Sequence, residues 1–314
     1  MPADTPQSVG IFSCYDTGMK IKPFVKWVGG KQRMAKMLEK RLPVDIKEMC
    51  YNEPFLGGGA FYAHLWNEGY FHGRKDDFHI CLSDINKKLI DVYKTIRYSA
   101  EQLNEYLKAA QEKEDTKEYY LKIRKVFNDK KEYERSDADL IQSTRFIYLN
   151  KRGFNGLYRE NSQGEFNVAY GHGNNKNLYD PTNILLWQGA LYRGNIGLLN
   201  ESYTWSMDNY SYETKDFFFI DPPYDETYNQ YNDNVFDEKH QRNLCNMCKN
   251  IRDHGDLFMQ TNKDTPLIRK LYEDFFIEEV ETSSTVQPNA ADKRKDVIIT
   301  NYKTYEGKNR PLIG

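Results

Sequence analysis

Residues 217–220 read Phe-Phe-Phe-Ile, an unbroken apolar run that stops at once in Asp221-Pro222-Pro223-Tyr224. A half-exposed strand alternates apolar and polar residues. A run that is apolar at every position needs cover on both faces, as in the middle of a parallel sheet flanked by helices. Other stretches supply units of the same kind. "MCYNEPFLGGGAFYAHLW" (49–66) reads as strand, Gly-rich turn and helix, and "FHICLSDINKKLIDVYKTI" (78–96) repeats that order. Units of this kind in series predict an α/β chain built on a parallel sheet.

Further strands are predicted in "NIGLLNESY", "GDLFMQTN", "FFIEEVETSS" and "DVIITNYKTY", and a helix after Gly29-Gly30 that ends before Pro43. Between the two halves the pattern changes. "EQLNEYLKAAQEKEDTKEYYLKIRKVF" is charged and helical in period, the mark of a solvated helical face. "RFIYLNKRGFNGLYRENSQGEFNVAYG" is rich in Gly, Asn and aromatics. The expected layout is an N-terminal extension over 1–20, a catalytic unit made of 21–95 and 191–314, and an inserted, mainly helical lobe over 96–190 carrying a hairpin near 149–171.

The 314 residues suffice for one large domain with such an insertion. No apolar run approaches a membrane span, and the N-terminus lacks a basic region followed by an apolar core, so neither a membrane partner nor a signal peptide is expected. Five scattered cysteines, an odd number, argue for reduced thiols and a cytoplasmic setting. The net charge of −2 does not exclude a nucleic-acid partner, since the distribution of charge decides that. Arg145, Lys151, Arg152, Arg159, Lys176 and Arg193 outnumber Glu160, Glu165 and Asp180 in the inserted lobe, so this part can meet phosphates. Cys245 and Cys248 form a CxxC near His240 and His254, but inside a helical pattern, where the pair reads as packing. No metal is expected.

In open α/β sheets ligands sit at the carboxyl ends of strands. Glu53, followed by Phe55, Gly57 and Gly59, ends one predicted strand, and Asp84 ends the next. Glycines there let backbone approach a ligand closely, and an acid such as Asp84 suits ribose hydroxyls. No Gly-Lys-Ser/Thr follows, so this is not a phosphate loop. An acid ahead of the glycines suits a cationic head without phosphates, as in S-adenosylmethionine. On the same rim, Asp221 and the Pro222 carbonyl form a stiff pair of acceptors, since proline fixes φ and lacks an N–H. They match the two hydrogens of a primary amine such as adenine N6. Tyr224 offers a stacking face to a base that has left its duplex. "FMQTN" (258–262) ends another strand beside this rim, and the acid-rich stretch after Tyr224 reads as a loop closing over the bound base.

Lys26-Trp27-Val28-Gly29-Gly30-Lys31, Glu53 to Gly59, Ser83-Asp84-Ile85-Asn86 and Asp221-Pro222-Pro223-Tyr224 stand in the order of the Dam-type DNA adenine-N6 methyltransferases, and residues 149–171 resemble that family's target-recognition segment. The resemblance runs from about residue 22 to about 305. It implies a Rossmann-like S-adenosylmethionine-dependent methyltransferase sheet with an inserted DNA-recognition lobe. It also implies S-adenosylmethionine as donor, S-adenosylhomocysteine as product, and a flipped-out adenine in double-stranded DNA, at GATC or a related site, as acceptor. By motif match, catalysis falls to Asp221, Pro222, Pro223 and Tyr224. Donor binding falls to Trp27, Lys31, Glu53, Phe55, Gly57, Gly59, Asp84 and Asp221. DNA contacts fall to Lys26, Lys151, Arg152, Phe154, Asn155, Leu157, Arg159, Asn161 and Asn167. A monomer is expected, with a cognate restriction endonuclease as a candidate companion. The family usually has proline where this chain has Ala169, which bears on the DNA site. Alternatives from other classes are cytosine-N4 methylation, disfavoured because that class usually carries serine at the position of Asp221, an inactive DNA-binding relative, and a nicotinamide oxidoreductase.

Overall fold

The computed structural model describes residues 18–73, 78–134, 138–172, 177–192, 195–208, 214–225, 236–282 and 294–304. Most of the expected N-terminal extension, and most of the acid-rich stretch after Tyr224, lie outside these residues. The predicted strands form one seven-stranded sheet in the order β3-β2-β1-β4-β5-β7-β6. β1 (Cys50–Glu53), β2 (Ile80–Ser83), β3 (Ile196–Leu199), β4 (Asp216–Ile220) and β5 (Leu257–Lys263) are parallel. β7 (Arg294–Thr300) runs antiparallel between β5 and β6 (Phe276–Thr282).

β4 shows why its sequence has no polar alternation. Phe217 and Phe219 enter one apolar cluster, with Tyr51, Leu82 and Met259. Phe218 and Ile220 enter a second, with Leu244, Phe258 and Val297. Successive side chains point to opposite faces, and both faces are covered. All four residues are at most 1% exposed.

Helices follow the strands as their periodicity predicts. After a 3₁₀ turn at Lys31–Arg33, α1 covers Ala35–Glu39. α2 (Ala60–Asn67) opens at Gly59, and α3 (Lys87–Gln111) opens at Asn86, whose side chain caps the Leu89 N–H. α3 crosses the predicted lobe boundary and bends at Ser99, the one residue in it with non-helical backbone. α4 (Lys117–Phe127), α5 (Ala138–Arg152) and α6 (Pro181–Leu191) follow within the residues of the expected lobe. Its buried Tyr120, Phe127 and Phe146 share one apolar cluster with β4 and α2, so lobe and sheet share a core.

On the other face lie α7 (Tyr203–Asp208), α8 (Glu238–Asp253) and α9 (Pro266–Leu271). Cys245 and Cys248 are buried in α8. Their thiols meet the Leu271 carbonyl at 3.0 Å and Gln260 Oε1 at 3.5 Å, so the i,i+3 pair packs. No described helix is long and apolar enough to cross a membrane.

Candidate active site

The strand order reverses between β1 and β4, which places a crevice at their carboxyl ends. Glu53 closes β1, Asp84 follows β2 and Asp221 follows β4, so three acids separated in sequence meet on one rim. The loop from Glu53 to α2 is fixed by its own backbone. Leu56 N–H donates to the Ser83 carbonyl at 2.9 Å, and Gly57 N–H to Asp84 Oδ2 at 2.8 Å. Gly57 (φ +49°) and Gly59 (φ +62°) occupy the left-handed region. At Gly57 a Cβ would stand 2.7 Å from Trp27 Cδ1. Trp27 in turn stacks on Tyr158 (5.4 Å between centroids), which joins the loop to the hairpin of the lobe.

The electrostatics suit a cationic ligand. Burial, then the charges of Asp221 and Asp84, push the Glu53 carboxyl up to about 8, against the pull of the Tyr51 hydroxyl at 2.7 Å. Burial also raises Asp84, although it accepts the N–H groups of Asn86 and Gly57. A bound cation relieves a rim of this kind. The same raised carboxyl predicts a pH dependence. An unfolded Glu loses its proton near about 4.3. Up to about 8 the folded chain therefore holds a proton the unfolded chain has released. This contribution is present at low pH and is lost as pH rises through that window. Asp216, pushed up to about 7 by burial, acts with the same sign. Urea unfolding from pH 5 to 8 is expected to show falling stability, and Glu53→Gln to remove up to about 4 kcal/mol of that fall. Above pH 7 the variant's curve flattens while the parent's still falls.

Asp221 is held from two sides. Lys31 Nζ lies 2.5 Å from Oδ1, and the Thr261 hydroxyl donates to the same oxygen at 2.6 Å. Oδ2 carries no hydrogen bond among the described residues. Burial alone would lower the Lys31 ammonium, but Asp221 and Tyr224 together hold it above its usual range. Its Nζ also donates to the Gly29 carbonyl at 2.7 Å and sits 4.7 Å from the centre of the Tyr224 ring. Burial pushes the Tyr224 phenol up to about 12.

Pro223 is anchored by α8, which the sequence did not reveal. The buried Gln241 of α8 donates from Nε2 to the Pro223 carbonyl at 3.0 Å and accepts from Asn262 Nδ2 at 3.1 Å. Asn262 Oδ1 accepts the Asp225 N–H at 3.2 Å, and the Thr265 hydroxyl donates to Asp225 at 2.6 Å. The "FMQTN" strand end thus grips the motif through Thr261 and Asn262. Tyr203 and Phe236 were also unforeseen: Phe55 stacks on Tyr203 at 5.3 Å and meets Phe236 edge-on at 5.9 Å. They lie in sequence contexts with no local signal for a rim position.

The hairpin comes to the same side through Asn150, which is fully buried. Its amide accepts the Lys26 N–H and donates to the carbonyls of Lys26 and Gly156, each at 2.9 Å. Phe154 is 52% exposed at the turn. Asn155 beside it is exposed and left-handed (φ 55°). Leu157 is half-buried against the core. Arg159 is aligned by Asn167, whose Oδ1 accepts its Nε–H at 2.7 Å. Lys151 lies near Lys26, and burial together with that charge lowers its ammonium.

Two residues expected at the DNA are engaged within the fold. Arg152 is 6% exposed and pairs with Asp115 at 2.9 Å, because α5 turns it into the lobe. Asn161 closes its own turn, accepting the N–H groups of Gln163 and Glu165 and donating to the Glu165 carboxylate. Both support the hairpin from within.

A seven-stranded sheet in this order, with an acidic, glycine-lined crevice where the order reverses, is the fold of an S-adenosylmethionine-dependent methyltransferase. Residues 27–286 match the D12 class N6 adenine-specific DNA methyltransferase family, and the chain belongs to it. It is 32% identical over 304 residues to the type II methyltransferase M.MjaIII of Methanocaldococcus jannaschii, covering 90% of this chain and 100% of that one. It is 30% identical over 291 residues to the type II methyltransferase M1.LlaDCHI of Lactococcus lactis, covering 90% and 96%. The DNA adenine methylase of Escherichia coli K12 is 28% identical over 294 residues, again covering 90% and 96%.

Proposed function

We propose that this protein methylates N6 of an adenine turned out of duplex DNA, at GATC or a closely related site, with S-adenosylmethionine as donor. The observation that carries this reading is the state of Asp221. Lys31 and Thr261 both engage Oδ1, which leaves Oδ2 as an oriented acceptor beside the Pro222 carbonyl. One amine hydrogen goes to each acceptor. Both bonds draw electron density away from the ring and back to the nitrogen, and they favour the positive charge that develops on it. Tyr224 stacks on the base, worth about 1–3 kcal/mol against the cost of unstacking it. The clamp from Gln241 and Asn262 holds the acceptors still, so positioning costs little when the base arrives.

The donor fits the acidic rim. Glu53, Asp84 and the glycine loop under Trp27 would hold it, with Phe55 at the side. It supplies an electrophilic methyl group on a sulfonium. The residues of this chain need only orient the amine and exclude water.

On the DNA side, Lys26 and Lys151 suit phosphate or an outer base, and Phe154 suits a wedge beside the extruded nucleotide. Arg159, aligned by Asn167, suits bidentate reading of a guanine. Arg159→Ala is expected to lower discrimination at one base pair by at least about tenfold, with a smaller loss of kcat on the best site. Turnover on a panel of single-base-substituted duplexes measures this; an unchanged ranking of sites removes Arg159 from the reading.

The function is tested with isotope-labelled donor and adenine-containing duplexes, followed by nucleoside mass spectrometry. N6-methyladenine is expected. N4-methylcytosine, or donor binding without any label transfer, would overturn the assignment.

A further inference from the structure

At the opposite edge of the sheet a second group of chemically active side chains has no part in the reaction described above. We propose that Cys50, His79 and Asp216 form a binding site for a divalent transition cation of the zinc class. The strand register itself gathers them. Cys50 opens β1 and is the register partner of Asp216, which opens β4. His79 immediately precedes β2, and its carbonyl accepts the Tyr51 N–H.

One thiol sulfur, one imidazole nitrogen and one carboxylate oxygen lie within 4.8 Å of one another. Cys50 Sγ is 3.1 Å from His79 Nδ1, while the opposite ring nitrogen, Nε2, is 3.7 Å from Asp216 Oδ1, so an ion takes one of the two nitrogens and the ring turns to present it. A tetrahedral ion with bonds of about 2.0–2.3 Å sets its donor atoms roughly 3.3–3.7 Å apart. Closing the widest pair takes a movement of about 1 Å, within the reach of side-chain rotation. Sulfur, nitrogen and oxygen donors together suit zinc and cobalt(II) and do not suit magnesium or calcium.

A thiol–imidazole hydrogen bond alone does not complete this cluster. Asp216 is fully buried, and Asn52 Nδ2 donates to its Oδ1 at 2.7 Å. Its Oδ2 has no hydrogen-bond partner among the described residues. An unsatisfied buried carboxylate oxygen is costly, and a cation held by this carboxylate, whose Oδ1 faces His79, would lower that cost. His79, 36% exposed at its side chain, provides the way in from solvent. Binding exchanges the Cys50 thiol proton, and the Asp216 carboxyl proton where it is held, for the metal and releases them to water. β1 and β4 have four and five residues, so this edge lies about 13–16 Å from the active rim. The cation would tie the starts of three strands together without touching substrate.

The full-length protein, stripped of metal and reduced, is titrated with cobalt(II) alone. A thiolate-to-cobalt charge-transfer band that saturates at one equivalent, and that one equivalent of zinc(II) abolishes, is expected. Zinc in hundredfold excess over its Kd should raise the Tm by about 3 °C or more. Cys50→Ala is expected to lose the band, and Asp216→Asn to weaken cobalt binding at least about tenfold. His79→Ala, at a partly exposed position, is the second variant should Cys50→Ala fail to fold, and it too is expected to weaken binding at least about tenfold. Absence of a band in the parent protein overturns the proposal. So does a band that persists at full strength in Cys50→Ala or His79→Ala, which would point to other thiols.

Discussion

Asp221→Ala is expected to lower single-turnover methyl transfer at least about 10³-fold while changing duplex affinity less than threefold, since it removes an acceptor aimed at charge that develops only in the transition state. The same change has a second consequence. Lys31 is 5% exposed and loses its carboxylate partner. An uncompensated buried ammonium costs about 3–5 kcal/mol, so the variant should also unfold at lower urea. The double variant Lys31→Ala/Asp221→Ala separates the two effects. Removing both charges recovers most of the stability, because the desolvation cost goes with them. It does not recover transfer. Rapid-quench transfer and urea midpoints on the two variants give both readouts. Near-normal transfer in Asp221→Ala would remove the residue from catalysis. Unaltered stability would mean the pair with Lys31 is not formed in solution.

The second large effect is expected at Gly57. Alanine there must adopt φ near +49° and place its Cβ 2.7 Å from Trp27 Cδ1 and 3.0 Å from Nε1. The left-handed backbone costs roughly 1–2 kcal/mol, and the contact requires Trp27 to move. Trp27 is stacked between the loop and Tyr158, so its shift reshapes the crevice and loosens the link to the hairpin. Donor affinity measured by calorimetry should fall at least about 30-fold, the equivalent of ~2 kcal/mol. Gly73→Ala is the control. It has φ 64° but nothing within 4 Å of the added carbon, so it carries backbone strain without a clash and leaves donor affinity unchanged. Equal behaviour of the two variants would show that strain alone, and not the seat under Trp27, matters.

Much of this arrangement could be read locally. The run Phe217–Ile220 announced a strand covered on both faces, and its side chains divide between two apolar clusters. The glycines after Glu53 announced a turn that brings backbone close to a ligand, and Gly57 and Gly59 take left-handed φ there. The acids at strand ends fell on one rim because parallel strands share a carboxyl edge. Other features had no local signal. Gln241 sits on α8 with polar neighbours on either side, and nothing near it in the chain shows that it reaches the Pro223 carbonyl. Arg152 was expected at the DNA by motif match, yet the phase of α5 turns it inward to Asp115. Asn150 lay in a recognisable segment, but its link to the Lys26 backbone depends on how α5 packs beside residues 24–27.

The sequence by itself determined the strands, their burial, the loop glycines and the chemical character of the rim, because these follow from periodicity and from dihedral preferences of single residues. Tertiary structure alone decided which side chains meet. Lys31 and Asp221, Gln241 and Pro223, and Cys50, His79 and Asp216 come together through strand order, register and helix phase, which are fixed by burial of the whole core and are written in no single segment.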